Sequence, residues 1–172
     1  KIVKTDNNGK ATDDEFSNAL KMVAPGTNLR TALDGILKAR KGAIIAIENN
    51  SLLPLIDGGF RINSRFTPQR LIELSKMDGA LILSKDMKKI NYANVLLTPD
   101  NKIKSLETGT RHKAAERTAK QTATLVIAIS ERKNVVPSTE ILIFLKSSIV
   151  VTVGSAVRTN EELSVVIAPA GN

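Results

Sequence analysis

Short, continuous apolar runs recur along this chain between segments whose apolar residues repeat every three or four positions. That alternation restricts the fold more tightly than any single motif. AIIAI (Ala43 to Ile47) and LVIAIS (Leu125 to Ser130) are too short for helices and read as strands covered on both faces. Between and before them, Leu29, Ala32, Leu33, Ile36 and Leu37 form one stripe of a helix from about Asn28 to Arg40, with Gly42 as its stop signal. An earlier helix carries Phe16, Ala19, Leu20 and Val23, with Asp13 and Asp14 as acidic N-terminal residues and Pro25-Gly26 at its end. Thr67 and Pro68 read as the cap and first residue of a third helix bearing Leu71, Ile72 and Leu74. Leu81 to Leu83 follows as a strand, and beyond a polar turn at Lys85 to Lys89 lies its expected hairpin partner, Ile90 to Leu97. Pro54, Gly58 and Gly59 mark a loop region. Helices interleaved with buried strands predict an α/β fold, a mixed central sheet with helices on both faces.

With 172 residues, the chain is long enough for one compact core. Beyond Val135 the texture changes to three β-rich runs, ILIFL, IVVTV and LSVVI, separated by Lys-Ser-Ser and by a polar stretch from Ser155 to Glu162. These predict a small antiparallel extension, residues 137–172, added to a core of residues 1–136 in the same domain. The most apolar stretch, Ile141 to Val153, is interrupted by Lys146, Ser147 and Ser148 and falls short of the roughly 20 residues of a membrane helix. The first residues, KIVKTDNNGKATDDE, are polar and do not resemble a secretory signal, so a cytoplasmic location and no membrane association are expected.

The absence of cysteine removes thiol nucleophiles, disulfides and Cys-based zinc or iron-sulfur sites, and a single histidine, His112, removes zinc sites built on several imidazoles. Neither GxxxxGK[ST] nor GxGxxG occurs, which disfavours P-loop and Rossmann nucleotide sites. HExxH is missing too, and any serine triad would have to recruit His112. Asn49-Asn50-Ser51 matches a glycosylation sequon and reads as chance. The 25 Lys and Arg residues outnumber 17 acids, a net charge of +8 that suits a polyanionic partner. With four Phe and one Tyr there is little to stack single-stranded bases on, which disfavours an RNA or single-stranded DNA reader.

GTRHKAAER (Gly109 to Arg117) is the most informative segment. If Thr110 caps a helix running to about Thr122, then Arg111, His112 and Lys113 crowd its first turn, where free N–H groups already carry positive partial charge. Each such mismatch costs about 0.3–1 kcal/mol at an exposed site, and an anion would relieve it. Amide groups, a glycine and two or three cations together suit a phosphate chain. A solvated basic helix start is the plainer reading. Glu116 and Lys120, spaced i and i+4, read as a structural pair. Asp78-Gly79-Ala80, at a helix-to-strand junction, is either a common turn or a carboxylate placed to hold a divalent metal beside a nucleotide.

The two segments together, Asp78-Gly79-Ala80 and Gly109-Thr110-Arg111-His112, resemble the paired signatures of the diadenylate cyclase domain, in the branch found in bacterial DNA integrity scanning proteins. The resemblance runs from about Phe16 to Val136 and includes Ala24-Pro25-Gly26-Thr27, Gly58-Gly59-Phe60, Leu74-Ser75-Lys76-Met77, Tyr92-Ala93-Asn94 and Ala119-Lys120-Gln121-Thr122. It implies condensation of two ATP into cyclic di-AMP with release of two pyrophosphates, dependent on Mg2+ or Mn2+, in a homo-oligomer with two protomers face to face. By the same resemblance Asp78, Arg111 and His112 are catalytic, and Asp78 and His112 ligate metal. Gly79, Ala80, Leu97, Gly109, Thr110, Arg111, Lys113 and Ser130 would contact ATP. Lys113 stands where the family signature has Arg, keeping the charge but losing the planar fork. That departure leaves open a domain that binds ATP or cyclic di-AMP without turnover. A basic module for duplex DNA is the third reading, although the family's helix-hairpin-helix module is not present in this chain and DNA binding is not expected of it alone.

Overall fold

The computed structural model describes residues 9–39, 41–132, 138–146, 148–154 and 165–169. Two helices open the chain, α1 (Gly9–Met22) and α2 (Asn28–Lys38), followed by strand β1 (Ala43–Ile47). A single 3-10 turn, Leu53–Leu55, leads to β2 (Ile56–Asp57) and β3 (Phe60–Arg65), then α3 (Pro68–Leu74), β4 (Ala80–Leu83) and β5 (Lys89–Leu97). Helix α4 (Thr110–Thr122) precedes β6 (Val126–Arg132), β7 (Ser138–Phe144), β8 (Ser148–Gly154) and β9 (Val165–Pro169).

Local chemistry explains the helix boundaries. Thr27 caps α2, its hydroxyl oxygen accepting from the Arg30 amide at 3.2 Å, and Thr67 caps α3 by accepting from Arg70 at 3.2 Å, with Pro68 in the first helical position. On α2 the buried stripe is Leu29, Ala32, Leu33 and Ile36, while Arg30 and Asp34 pair at 3.0 Å, one turn apart, on its outer side. Gly35 lets α3 approach, since a Cβ there would lie 2.3 Å from Ile72 Cδ1. Two boundaries differ from the sequence reading. The first turn of α1 holds no acidic residue, because the helix begins at Gly9 and Asp13 and Asp14 fall in its second turn. Nor does Gly42 cap α2, which ends at Lys38 with Ala39 as its cap in a right-handed conformation.

Nine strands form one sheet in the order β2-β5-β4-β1-β6-β7-β8-β9, with β3 also paired to β5. Among the described pairings only β1 and β4 run parallel. The β-rich runs after Val135 continue the sheet outward from β6 as antiparallel β7, β8 and β9. The polar stretch Ser155 to Glu162 lies outside the described residues. Strands β2 and β3 occupy the region read from sequence as a loop. Residues of β3 alternate between exposed and half-buried, so this edge strand carries no continuous apolar signal.

Each face of the sheet has its own core. Ile45, Ile47, Leu81, Leu83, Ile127 and Ile129 join Leu29, Leu33 and Ile36 of α2 and Leu71 of α3 on one face. On the other, Ala46, Ala80, Ile82, Val126, Ala128 and Phe144 meet Ala115 and Ala119 of α4. Helices therefore cover both faces, as the sequence predicts. Alanine on both sides of the second interface brings α4 close to β1 and β6, which fixes where the start of α4 falls.

Candidate functional site

Strand directions bring four separated segments to one end of the sheet. β1 and β4 are parallel with Ile44 opposite Ala80, so Gly42 and the Asp78-Gly79 turn both lie just before strand starts at the same end. β6 runs the other way, Ala43 opposite Ile129, so its Ser130 reaches that end from below. β5 is antiparallel to β4, Ala80 opposite Val95, and delivers Leu96 and Leu97 there. Ligands in open α/β sheets gather at the carboxyl ends of strands. Here those ends belong to β5 and β6, and the starts of β1 and β4 lie between them. By the alternation of strand residues, Ser130 shares the face of Val126 and Ala128, the α4 face. Its Oγ is buried with no hydrogen-bond partner among the described residues.

Helix α4 starts at this end. Gly109, not Thr110, is the N-cap, at φ 89°, and no side chain caps the helix. The correction has a physical reason: Gly109 takes a left-handed conformation that β-branched Thr110 would adopt only under strain, so Thr110 becomes the first helical residue. Arg111, His112 and Lys113 then occupy the following positions, with no acidic residue in the first turn. The charge mismatch predicted from sequence is present, and among the described residues no side-chain oxygen answers the opening amides. Thr110, Arg111 and Lys113 are exposed. His112 is only 8% exposed, and its Nδ1 lies 3.7 Å from Glu107 Oε2.

Arg111 folds back over the start of β1. A Cβ on Gly42 would lie 1.7 Å from Arg111 Nη1 and 2.7 Å from Cζ, so the guanidinium rests on bare backbone. The structure thus brings Arg111 to the strand end that adjoins the Asp78 turn on one side and Ser130 on the other. Asp78 is exposed. Gly79 has φ 87°, and a Cβ on it would lie 2.9 Å from Asn94 C and Val95 O, so its glycine lets the turn sit against β5. Ala80 is buried in the α4-side core, and Leu97, also buried, pairs with Ile56 of β2.

The loop before α4 is held by residues that sequence reading set aside. Glu116, 1% exposed, accepts hydrogen bonds from Ser105 Oγ and from the Leu106 amide at 3.1 Å, and pairs with Lys120 at 3.0 Å. Lys120 also donates to Lys104 O at 3.0 Å, Arg117 Nε to Ile103 O at 2.9 Å, and the Asp100 amide to Gln121 Oε1 at 2.8 Å. The i, i+4 pair is structural, as its spacing suggested, and it also anchors residues 104–106. Asn49 is likewise structural: its Nδ2, the atom a glycan would need, donates to Thr122 O at 2.9 Å.

Among the described residues no group of three or more His, Asp or Glu side chains converges to cage a metal. One exposed carboxylate, Asp78, beside an anion-receptive helix start fits a hard divalent cation completed by substrate phosphates, the usual arrangement for Mg2+.

No helix among the described residues is long and apolar enough to cross a membrane. A family model described as DAC, DisA bacterial checkpoint controller nucleotide-binding, matches residues 30–140. The DNA integrity scanning protein DisA of Acetivibrio thermocellus is 58% identical over 125 residues, covering 72% of this chain and 35% of that protein. Its counterpart in Clostridium kluyveri is 53% identical over 123 residues, covering 71% and 35%. The chain thus spans about a third of the length of these curated relatives. Two solved structures share the fold. A hypothetical membrane spanning protein from Bacillus cereus superposes with a TM-score of 0.58 at 21% identity, covering 79% of this chain and 70% of that one. A double mutant of DacA from Staphylococcus aureus gives 0.54 at 23% identity, covering 77% and 87%. With its family match extending over more than half of its length and carrying both signature segments, the chain belongs to the DAC family of DisA nucleotide-binding domains.

Proposed function

We propose that this chain is a diadenylate cyclase domain that joins two ATP into cyclic di-AMP and releases two pyrophosphates. The observation that carries this reading is the meeting, at one sheet end, of an exposed carboxylate at Asp78, a helix start without a side-chain cap and with Arg111 laid over Gly42, and the buried Ser130 hydroxyl, which has no hydrogen-bond partner among the described residues. In each half-reaction a 3'-oxygen bonds to the α-phosphorus of the other ATP as the bond to the β-phosphate oxygen breaks. The hydroxyl proton is lost, and pyrophosphate leaves. Such a displacement needs alignment and charge neutralisation more than covalent chemistry.

In this reading the opening amides of α4, with Gly109, Thr110, Arg111 and Lys113, hold the triphosphate, and Ser130 donates to a phosphate oxygen. The Leu97 backbone meets the adenine, while Gly79 and Ala80 keep the mouth open to the nucleotide. Asp78 sits by the attacking hydroxyl and, with His112, would hold Mg2+ or Mn2+. That cation supplies neutralisation of phosphate charge. One protomer offers one such half-site, so the two attacks require two copies face to face in a homo-oligomer. The location that suits this substrate is the cytoplasm.

The test is incubation with ATP and Mn2+ or Mg2+ followed by chromatographic separation of nucleotides. Cyclic di-AMP is expected from the wild type and not from Asp78→Asn, with both proteins equally folded. ATP binding without product would instead select the second reading, a nucleotide-binding domain impaired by Lys113, the exposed residue in place of the signature Arg.

A further inference from the structure

Gly42 has no backbone reason to be glycine. It is not among the residues at positive φ, unlike Gly59, Gly79 and Gly109, and it does not terminate α2. A Cβ at Gly59 or Gly79 would strike the backbone of β5, which cannot yield. At Gly42 the three nearest atoms all belong to the far end of one flexible side chain: Arg111 Nη1 at 1.7 Å, Cζ at 2.7 Å and Nη2 at 3.1 Å. A methyl group there would meet the guanidinium first and push it off the strand.

We infer that Gly42 is a positioning residue for Arg111: its missing side chain is the seat that holds the guanidinium over the sheet end between the Asp78 turn and Ser130. The inference rests on the nucleotide-binding reading of this site. Arg111 is one residue into α4, and an exposed arginine has many rotamers to choose from. Contact with the flat backbone of Gly42 selects one of them before ligand arrives. A preset guanidinium loses less conformational freedom on meeting a phosphate than a free one does.

Replacing Gly42 by alanine should therefore separate fold from function. Because the backbone there is compatible with any residue, the substitution restricts the unfolded chain and leaves the thermal midpoint equal or higher. ATP affinity should fall, by about ten- to hundred-fold if one charge-assisted contact is lost. The measurement is calorimetric titration with the α,β-methylene analogue of ATP and Mg2+, which binds without turnover, on wild type, Gly42→Ala, Arg111→Ala and the double variant, each with a thermal melt. Support is a weakened Gly42→Ala whose melt is unchanged or raised, and a double variant no weaker than Arg111→Ala alone. Wild-type affinity in Gly42→Ala, an effect of Gly42→Ala that persists undiminished on the Arg111→Ala background, or a lowered melt in Gly42→Ala would each overturn the inference while the nucleotide reading stands. Failure of the wild type to bind the analogue would overturn that reading and the inference with it.

Discussion

Replacing Glu116 by glutamine keeps the shape of the loop anchor and removes its charge. In the wild type this buried carboxylate accepts hydrogen bonds from Ser105 Oγ and from the Leu106 amide at 3.1 Å, and forms an ion pair with Lys120 Nζ at 3.0 Å. A hydrogen bond to a charged group contributes about 1.5–3 kcal/mol and a neutral one about 1 kcal/mol. An amide oxygen in Glu116→Gln can still accept from Ser105 and Leu106, so those two contacts weaken rather than vanish. Its NH2 then faces the Lys120 ammonium, donor against donor, although Lys120 keeps Lys104 O as a partner at 3.0 Å. The sum is a loss of about 2–3 kcal/mol, which for a domain of this size lowers the thermal midpoint by about 4–12 °C. Circular dichroism melts of wild type, Glu116→Gln, Lys120→Met and the double variant measure it, and the double variant should lose less than the two single losses added. Amide exchange at Leu106 should quicken in Glu116→Gln more than exchange in the β1 or β6 core. A midpoint shift below about 1 °C together with unchanged exchange at Leu106 would refute the anchoring role. A functional corollary is read by calorimetry: Glu107 follows this anchored segment and reaches His112 at 3.7 Å, so nucleotide affinity should fall with loop order.

Three other outcomes follow from the geometry. Gly79→Ala forces a left-handed Cβ residue to within 2.9 Å of the β5 backbone and should destabilise by about 1–3 kcal/mol or more, seen as a lower urea midpoint; an unchanged midpoint contradicts the packing described. Lys113→Arg restores a planar fork at the start of α4 and should tighten nucleotide binding several-fold, and equal or weaker binding would count against a phosphate contact at this position. The Ser84 hydroxyl, then the Lys88 amide, hold the exposed Asp86 carboxyl below the ordinary aspartate range. A depressed folded-state value means a contribution fully present above the unfolded value and lost as pH falls through the folded one. The stability difference between wild type and Asp86→Asn should be flat from pH 5 to 8 and narrow below about pH 4, and a gap that instead widened on acidification would reverse the sign.

The covered strands and capped helices were legible because each rests on a short-range pattern: AIIAI for β1, the Leu29-Leu33-Ile36 stripe for α2, Thr67-Pro68 for α3. β2 and β3 were not legible, since a solvated edge strand such as FRINSR offers no apolar alternation to read. The start of α4 was found to within one residue. Thr110 has the side chain of a cap, but the backbone of Gly109 decides the matter. Gly42 and Glu116 were legible only as a stop signal and as one half of a structural i, i+4 pair. Their meaning arises from partners brought to them by the sheet, Arg111 across β1 and Ser105 across the loop, and no local pattern encodes such meetings.

The parallel pairing of β1 with β4, the one such pairing among the described strands, also settles where the molecule tolerates additions. Both strands begin at the end that carries Asp78 and Arg111, so the hairpin bend at 84–88 and the link at 123–125 are set at the opposite pole, a whole strand length away. A fluorophore or affinity handle grafted into the 84–88 bend would leave the pole of Asp78 and Arg111 unobstructed.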